Sequence, residues 1–181
     1  HFAVLGPQIL SKDQKVISLM EPIAPRAVYI VHRWLIQCQL VLCRFIPGFF
    51  DAVDAVKNCV GKLRKPKKQA PTAGESKLQP QKDIMLRGCF WIFSPDYVER
   101  FDGLDDRTFL YREEQLLFIR LKKNGLHTYY DPELKIIHLE DAATNAVAKT
   151  EFKKRVFTLQ NEVKSMKILI DALKDYQGGK K

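Results

Sequence analysis

Apolar residues cluster along this chain in two ways: short continuous runs of strand-forming side chains, and longer stretches in which they recur every three to four positions. "FAVLGPQIL" (2–10) is a run of the first kind, broken by Gly6-Pro7, and predicts a strand entering a turn near a sheet edge. "KVISLM" (15–20) predicts a second short strand. From Val28 to Ile46 the apolar sequence is interrupted only by His32, Arg33, Gln37, Gln39 and Arg44, and Arg33, Gln37 and Arg44 fall on one narrow helical stripe. Phe49, Val53, Val56, Val60 and Leu63 then recur at spacings of four and three, a second amphipathic helix. "PKKQAPTAGESKLQPQK" (66–82), with three prolines and almost nothing apolar, reads as a connector.

"DIMLRGCFWIFSPDYVERF" (83–101) begins as an apolar strand with Gly88 inside it and turns at Ser94-Pro95 into a short helix. A glycine within a strand often marks the close approach of another group. Glu113-Glu114 open a helix that carries Leu116, Leu117, Ile119 and Leu121 and stops at Asn124-Gly125. "HTYYDPELKIIHL" offers two strand-like runs around Asp131-Pro132. Phe152, Val156, Leu159, Val163, Met166, Ile170 and Leu173 form an apolar seam on one long C-terminal helix, expected to pack on the parent fold, with a coiled-coil dimer as the alternative.

At 181 residues the chain is long enough for a domain with a real core. Lys and Arg outnumber Asp and Glu by 30 to 21, and the net charge of +9 favours anionic partners. "KLRKPKK" gathers five cations, Lys62, Arg64, Lys65, Lys67 and Lys68, directly after the second amphipathic stretch. Together with Arg33, Trp34 and Arg44 of the first, they are candidate contacts to an anionic membrane face; a solvated linker is the plainer alternative. Spanning is not expected, because a charge at the centre of a transmembrane helix costs about 2.5 to 3.5 kcal/mol and two arginines interrupt this one. No nucleic-acid partner is expected, since neither a groove-reading motif nor aromatics interleaved with Lys and Arg are present. Cys38, Cys43, Cys59 and Cys89 show no C-x-x-C spacing and read as reduced core thiols of a cytosolic protein. The opening lacks an initiator Met and a signal-type stretch, which reads as a piece of a longer protein.

On physical grounds alone neither Glu113 and Glu114 nor His138 needs a chemical role: acids suit the first turn of any helix, and a lone His after an apolar strand is usually a packing residue. Their order along the chain adds something. Gly88-Cys89, Gly103-Leu104-Asp105-Asp106, Phe109-Leu110-Tyr111-Arg112-Glu113-Glu114, Arg120 with Gly125, Tyr130-Asp131-Pro132 and Ile137-His138 follow one another in a series. That series resembles the C-terminal half of the catalytic domain in family 2 glycosyltransferases, in the bacterial rhamnosyltransferase-like branch that builds cell-surface polysaccharides. "VLGPQIL" and the "AAT" with the Lys-rich helix after it are similar to further segments of that family.

The resemblance implies an α/β fold: part of a GT-A domain, a Rossmann-like mixed sheet with flanking helices, here with an amphipathic helical insert and a long C-terminal helix. It divides the chain into the end of a nucleotide-sugar-binding part (1–25), the insert (26–65), a linker (66–82), an acceptor and catalytic part (83–148) and the C-terminal helix and tail (149–181). It implies inverting transfer from a nucleotide-sugar donor to a glycan or lipid-linked acceptor; the amphipathic 28–63 segment with its basic cluster is read separately as docking a cytoplasmic enzyme peripherally on the inner leaflet, with packing on the sheet as the alternative. Glu114 is the implied base, with Glu113 as supporting acid or alternative. Asp105, Asp106 and Gly88 would lie near the acceptor, and His138 would join a divalent metal, Mn2+ or Mg2+, whose principal ligands are expected upstream of residue 1. The alternative from another class is a non-enzymatic basic module binding anionic membrane or nucleic acid. These 181 residues alone are accordingly expected to bind nucleotide sugars weakly; tight donor binding in calorimetry with Mn2+ would contradict the upstream assignment.

Overall fold

The computed structural model describes residues 2–17, 20–46, 48–63, 79–139 and 150–178. Most of the predicted connector, Arg64, Lys65, Lys67, Lys68, the Lys62 side chain and Ala142-Ala143-Thr144 fall outside them. In chain order the elements are β1 (Val4–Leu10), α1 (Arg26–Phe45), α2 (Phe49–Leu63), β2 (Gln81–Lys82), β3 (Ile92–Phe93), α3 (Pro95–Arg100), α4 (Glu113–Lys123), β4 (Thr128–Ile137) and α5 (Glu151–Gly178). The strands form one mixed sheet in the order β2-β4-β1-β3. β1 runs parallel to β4, while β2 and β3 pair antiparallel at the two flanks.

β1 lies between β4 and the edge strand β3, which pairs with it only at Val4 and Leu5, and it runs on through Gly6-Pro7 rather than turning there. The two predicted strand breaks lie side by side: Pro7 pairs with Asp131, and the register then jumps so that Gln8 meets Lys135. Proline has no N–H to give a ladder, so both prolines sit where the ladder is already interrupted. β4 is therefore one strand with an irregularity at Asp131–Leu134, where Asp131 accepts from the Glu133 N–H at 2.9 Å, and not two separate runs. "KVISLM" contributes a single bridge, Leu10 to Val16, among its described residues. The stretch from Asp83 to Phe93 is not one strand either: it turns at Gly88-Cys89 and joins the sheet only at Ile92–Phe93.

Ser94 caps α3 by accepting from the Tyr97 N–H, with Pro95 in the first turn. α4 ends at Asn124 and Gly125, whose φ of +66° only glycine adopts at little cost, and the Leu126 N–H bonds back to the Leu121 carbonyl. Leu117 and Leu121 of α4 pack on Val4, Leu86, Tyr97 and Tyr130 beside the sheet. Leu116 and Ile119, on the other side of the same helix, pack with Tyr29 and Ile36 of α1 and with Met166, Leu169, Ile170 and Leu173 of α5. α4 is thus the middle layer between the sheet and a pair of helices. The C-terminal half of α5 packs on the parent fold, as its seam predicts; the other end differs, with Phe152 half exposed and its ring 5.5 Å from that of Phe50 in α2. All four cysteines are unpaired, but only Cys43 is buried; Cys59 and Cys89 are exposed.

Leu173 is fully buried in the helix layer. Leu173→Ala is expected to cost about 2 to 5 kcal/mol in urea unfolding, against less than about 0.5 kcal/mol for Val98→Ala, whose side chain is exposed on α3.

Candidate functional site

Glu113 and Glu114 form the first turn of α4, as predicted, but the helix begins in an unusual way. Its leading residue, Arg112, supplies no side-chain cap, and both Tyr111 (φ +70°) and Arg112 (φ +74°) lie in the left-handed region. That conformation is rare for side chains of this size and needs outside support. α5 provides it. The Tyr111 hydroxyl bonds Thr158 at 3.2 Å, Arg112 pairs with Glu162, and the Ser165 hydroxyl donates to the Leu110 carbonyl at 2.6 Å. The Arg112 guanidinium also lies 5.8 Å from the Tyr29 ring of α1.

This support fixes where the two carboxylates point. Glu114 reaches across to the Gly88-Cys89 turn, where the Gly88 N–H donates to its Oε1 at 3.2 Å. A Cβ built on Gly88 would stand 2.8 Å from that oxygen, so a side chain there would push the carboxylate aside. Two residues predicted for one site from positions 26 apart are in contact. Burial pushes the Glu113 carboxyl up, and the neighbouring Glu114 charge adds to the effect against the opposing influence of its own backbone N–H and Arg112.

The acids of the preceding turn separate in role. Asp105 is taken up by Arg107, whose Nε donates to it at 2.8 Å and whose backbone N–H donates at 3.2 Å. The side-chain bond from Arg107 holds the Asp105 carboxyl below its ordinary value despite partial burial. Asp105 therefore shapes the turn, while Asp106 faces solvent. The base of this turn is tied to α4: Arg120 donates to the Gly103 carbonyl at 2.7 Å and to the Tyr97 hydroxyl at 3.2 Å, and its guanidinium stacks 5.2 Å from the Phe101 ring.

His138 follows the end of β4, its N–H bonded to the Leu10 carbonyl, and shares an open depression with Ser11, Lys12, Asp13 and Leu139. An imidazole beside one carboxylate and an ammonium group does not by itself fit a divalent cation, and among the described residues no three His, Cys, Asp or Glu side chains group closely enough to hold one. Of the candidate membrane contacts, Trp34 and Arg44 are exposed. Arg33 instead turns inward, its Nε donating to the Val163 carbonyl of α5 at 3.3 Å.

Compared with known proteins, the chain matches no family model, no curated protein and no solved structure.

Sequence reasoning missed Thr158, Glu162 and Ser165. The available signal was slight: Glu162 and Ser165 are polar residues set next to Val163 and Met166 of the apolar seam. Nothing local announces a left-handed Tyr-Arg pair.

Because Glu113 is raised in the folded state, stability is lost as pH rises from the unfolded carboxyl value, about 4.3, through the folded one. Glu113→Gln is expected to melt higher than the parent chain at neutral pH, with the gap closing in acid below that value; equal melting at both would show that Glu113 ionises freely.

Proposed function

We propose that this chain carries the acceptor-activating part of an inverting, nucleotide-sugar-dependent glycosyltransferase of the GT-A type, acting in bacterial cell-surface polysaccharide biosynthesis. The observation that carries this reading is the Glu114 carboxylate, aligned by the Gly88 N–H while its side chain stays partly open to solvent at the start of α4. One oxygen is engaged by the amide, and the other is available to the hydroxyl of a glycan or lipid-linked acceptor. As the hydroxyl oxygen forms its bond to the anomeric carbon of the donor sugar, its proton passes to Glu114. The nucleoside diphosphate departs with the electrons of the broken C–O bond, and attack from the opposite side inverts the configuration.

Glu113, raised by burial, is the alternative base, since a base works best with a pKa near the operating pH. Asp106 is the acid of the preceding turn suited to meet acceptor hydroxyls, with Asp105 holding that turn in shape. When bound, Mn2+ or Mg2+ would neutralise charge on the departing diphosphate; His138 offers it at most one ligand. The competing reading, a non-enzymatic basic module, suits the net charge of +9 but gives no role to the Glu114 carboxylate held by the Gly88 N–H.

In the intact enzyme, Glu114→Gln is expected to lower kcat by about 10² to 10⁴-fold with donor binding unchanged. Gly88→Ala should produce a smaller loss by displacing the same carboxylate. Full turnover by the Glu114 variant combined with inactivity of Glu113→Gln would transfer the role to Glu113, and full turnover by both would end the proposal.

A further inference from the structure

α1 is apolar on two faces, and among the described residues only one of them is covered. Tyr29, Ile36 and Cys43, seven residues apart, are the buried residues of its inner face, which lies against α5. On the outer side Val31, Trp34, Leu35, Val41, Leu42 and Phe45 recur at helical spacing and are all exposed, Trp34 to 61% and Phe45 to 77%. A helix that is apolar nearly all round normally has cover on both sides. Over its 20 residues it runs about 30 Å, long enough for a continuous apolar strip.

Charge decides what that cover is. Residues 22–50 contain no Asp or Glu but include Arg26, Arg33 and Arg44. Arg26 and Arg33 are bonded to the Ile170 and Val163 carbonyls of α5, which fixes the rotation of α1 with its outer strip away from the domain. Arg44 is exposed. A second copy of this chain would bring the same +9 against itself, whereas an anionic bilayer surface attracts it. No helix among the described residues is long and apolar enough to cross a membrane.

We propose that the outer face of α1 lies in the interface of an anionic phospholipid membrane, with Trp34 and Phe45 entering the acyl boundary and Arg44 meeting the headgroups. This surface goes beyond the glycosyltransferase reading and stands whether or not Glu114 is a base.

The test is flotation of the 181-residue chain with phosphatidylcholine vesicles, with and without phosphatidylglycerol, while Trp34 fluorescence is followed in a Trp91→Phe background. The chain is expected to float with the anionic vesicles, with a blue shift of Trp34 emission, and to float weakly with the zwitterionic ones. Trp34→Ser with Phe45→Ser should weaken partitioning at least about tenfold, with an unchanged melting curve because both side chains are exposed. Val98→Ser, which removes an equally exposed apolar residue from α3, should leave partitioning intact. No flotation at low salt, or flotation indifferent to the double variant, overturns the proposal. So does a dimer in light scattering that the double variant dissolves without any vesicle binding, which would make a second copy the occupant.

Discussion

Two consecutive non-glycine residues, Tyr111 and Arg112, hold left-handed backbone immediately before α4, and they hold it because α5 grips them from the side. A left-handed residue with a side chain costs roughly 1 to 2 kcal/mol, so this turn exists only while its bonds to Thr158, Glu162 and Ser165 are made. The direction of Glu113 and Glu114 follows from the turn, and the contact between Glu114 and Gly88 follows from that direction. The proposed chemistry at the start of α4 therefore depends on side chains about 50 residues later in the chain.

α4 is able to transmit that constraint because it is packed on both sides. Leu117 and Leu121 seat it on the sheet cluster, and Leu116 and Ile119 seat it on the helix layer, so it can neither slide nor roll without opening one of the two cores. Arg120 adds a polar tie from its exposed side to Gly103, which keeps the Asp105-Asp106 turn in register with the glutamates. α1 is built on the opposite plan: one side joins the helix layer and the other remains apolar and exposed. α5, which braces the turn before Glu113, also holds α1, through the Val163 and Ile170 carbonyls. An acceptor tethered in a bilayer and the base that activates it would then be referred to one helix.

Local signals located most of the helices: the Ser94-Pro95 start, the acidic first turn at Glu113-Glu114, the Asn124-Gly125 stop and the four-three seam of the C-terminal helix all appear in the structure. These are determined by bonds and dihedrals within a few residues, so the sequence by itself specifies them. The sheet was less legible. Gly6-Pro7 and Asp131-Pro132 each looked like a break, and only the parallel pairing of β1 with β4 shows that the two interruptions meet and leave both strands continuous. The inward turn of Arg33 was equally hidden, since a helical stripe gives a face but not the neighbour it faces.

The candidate site divides in the same way. Its residue types and order were present in the sequence, and the glycine at 88 announced a close approach without naming what approaches. Tertiary structure decided that the approaching group is the Glu114 carboxylate, that Asp105 is spent on Arg107 while Asp106 stays exposed, and that α5 braces the strained turn. The physical reason is range: caps, turns and periodicity are set by neighbours along the chain, whereas burial, ion pairing and support for strained backbone come from groups brought together only when the layers pack.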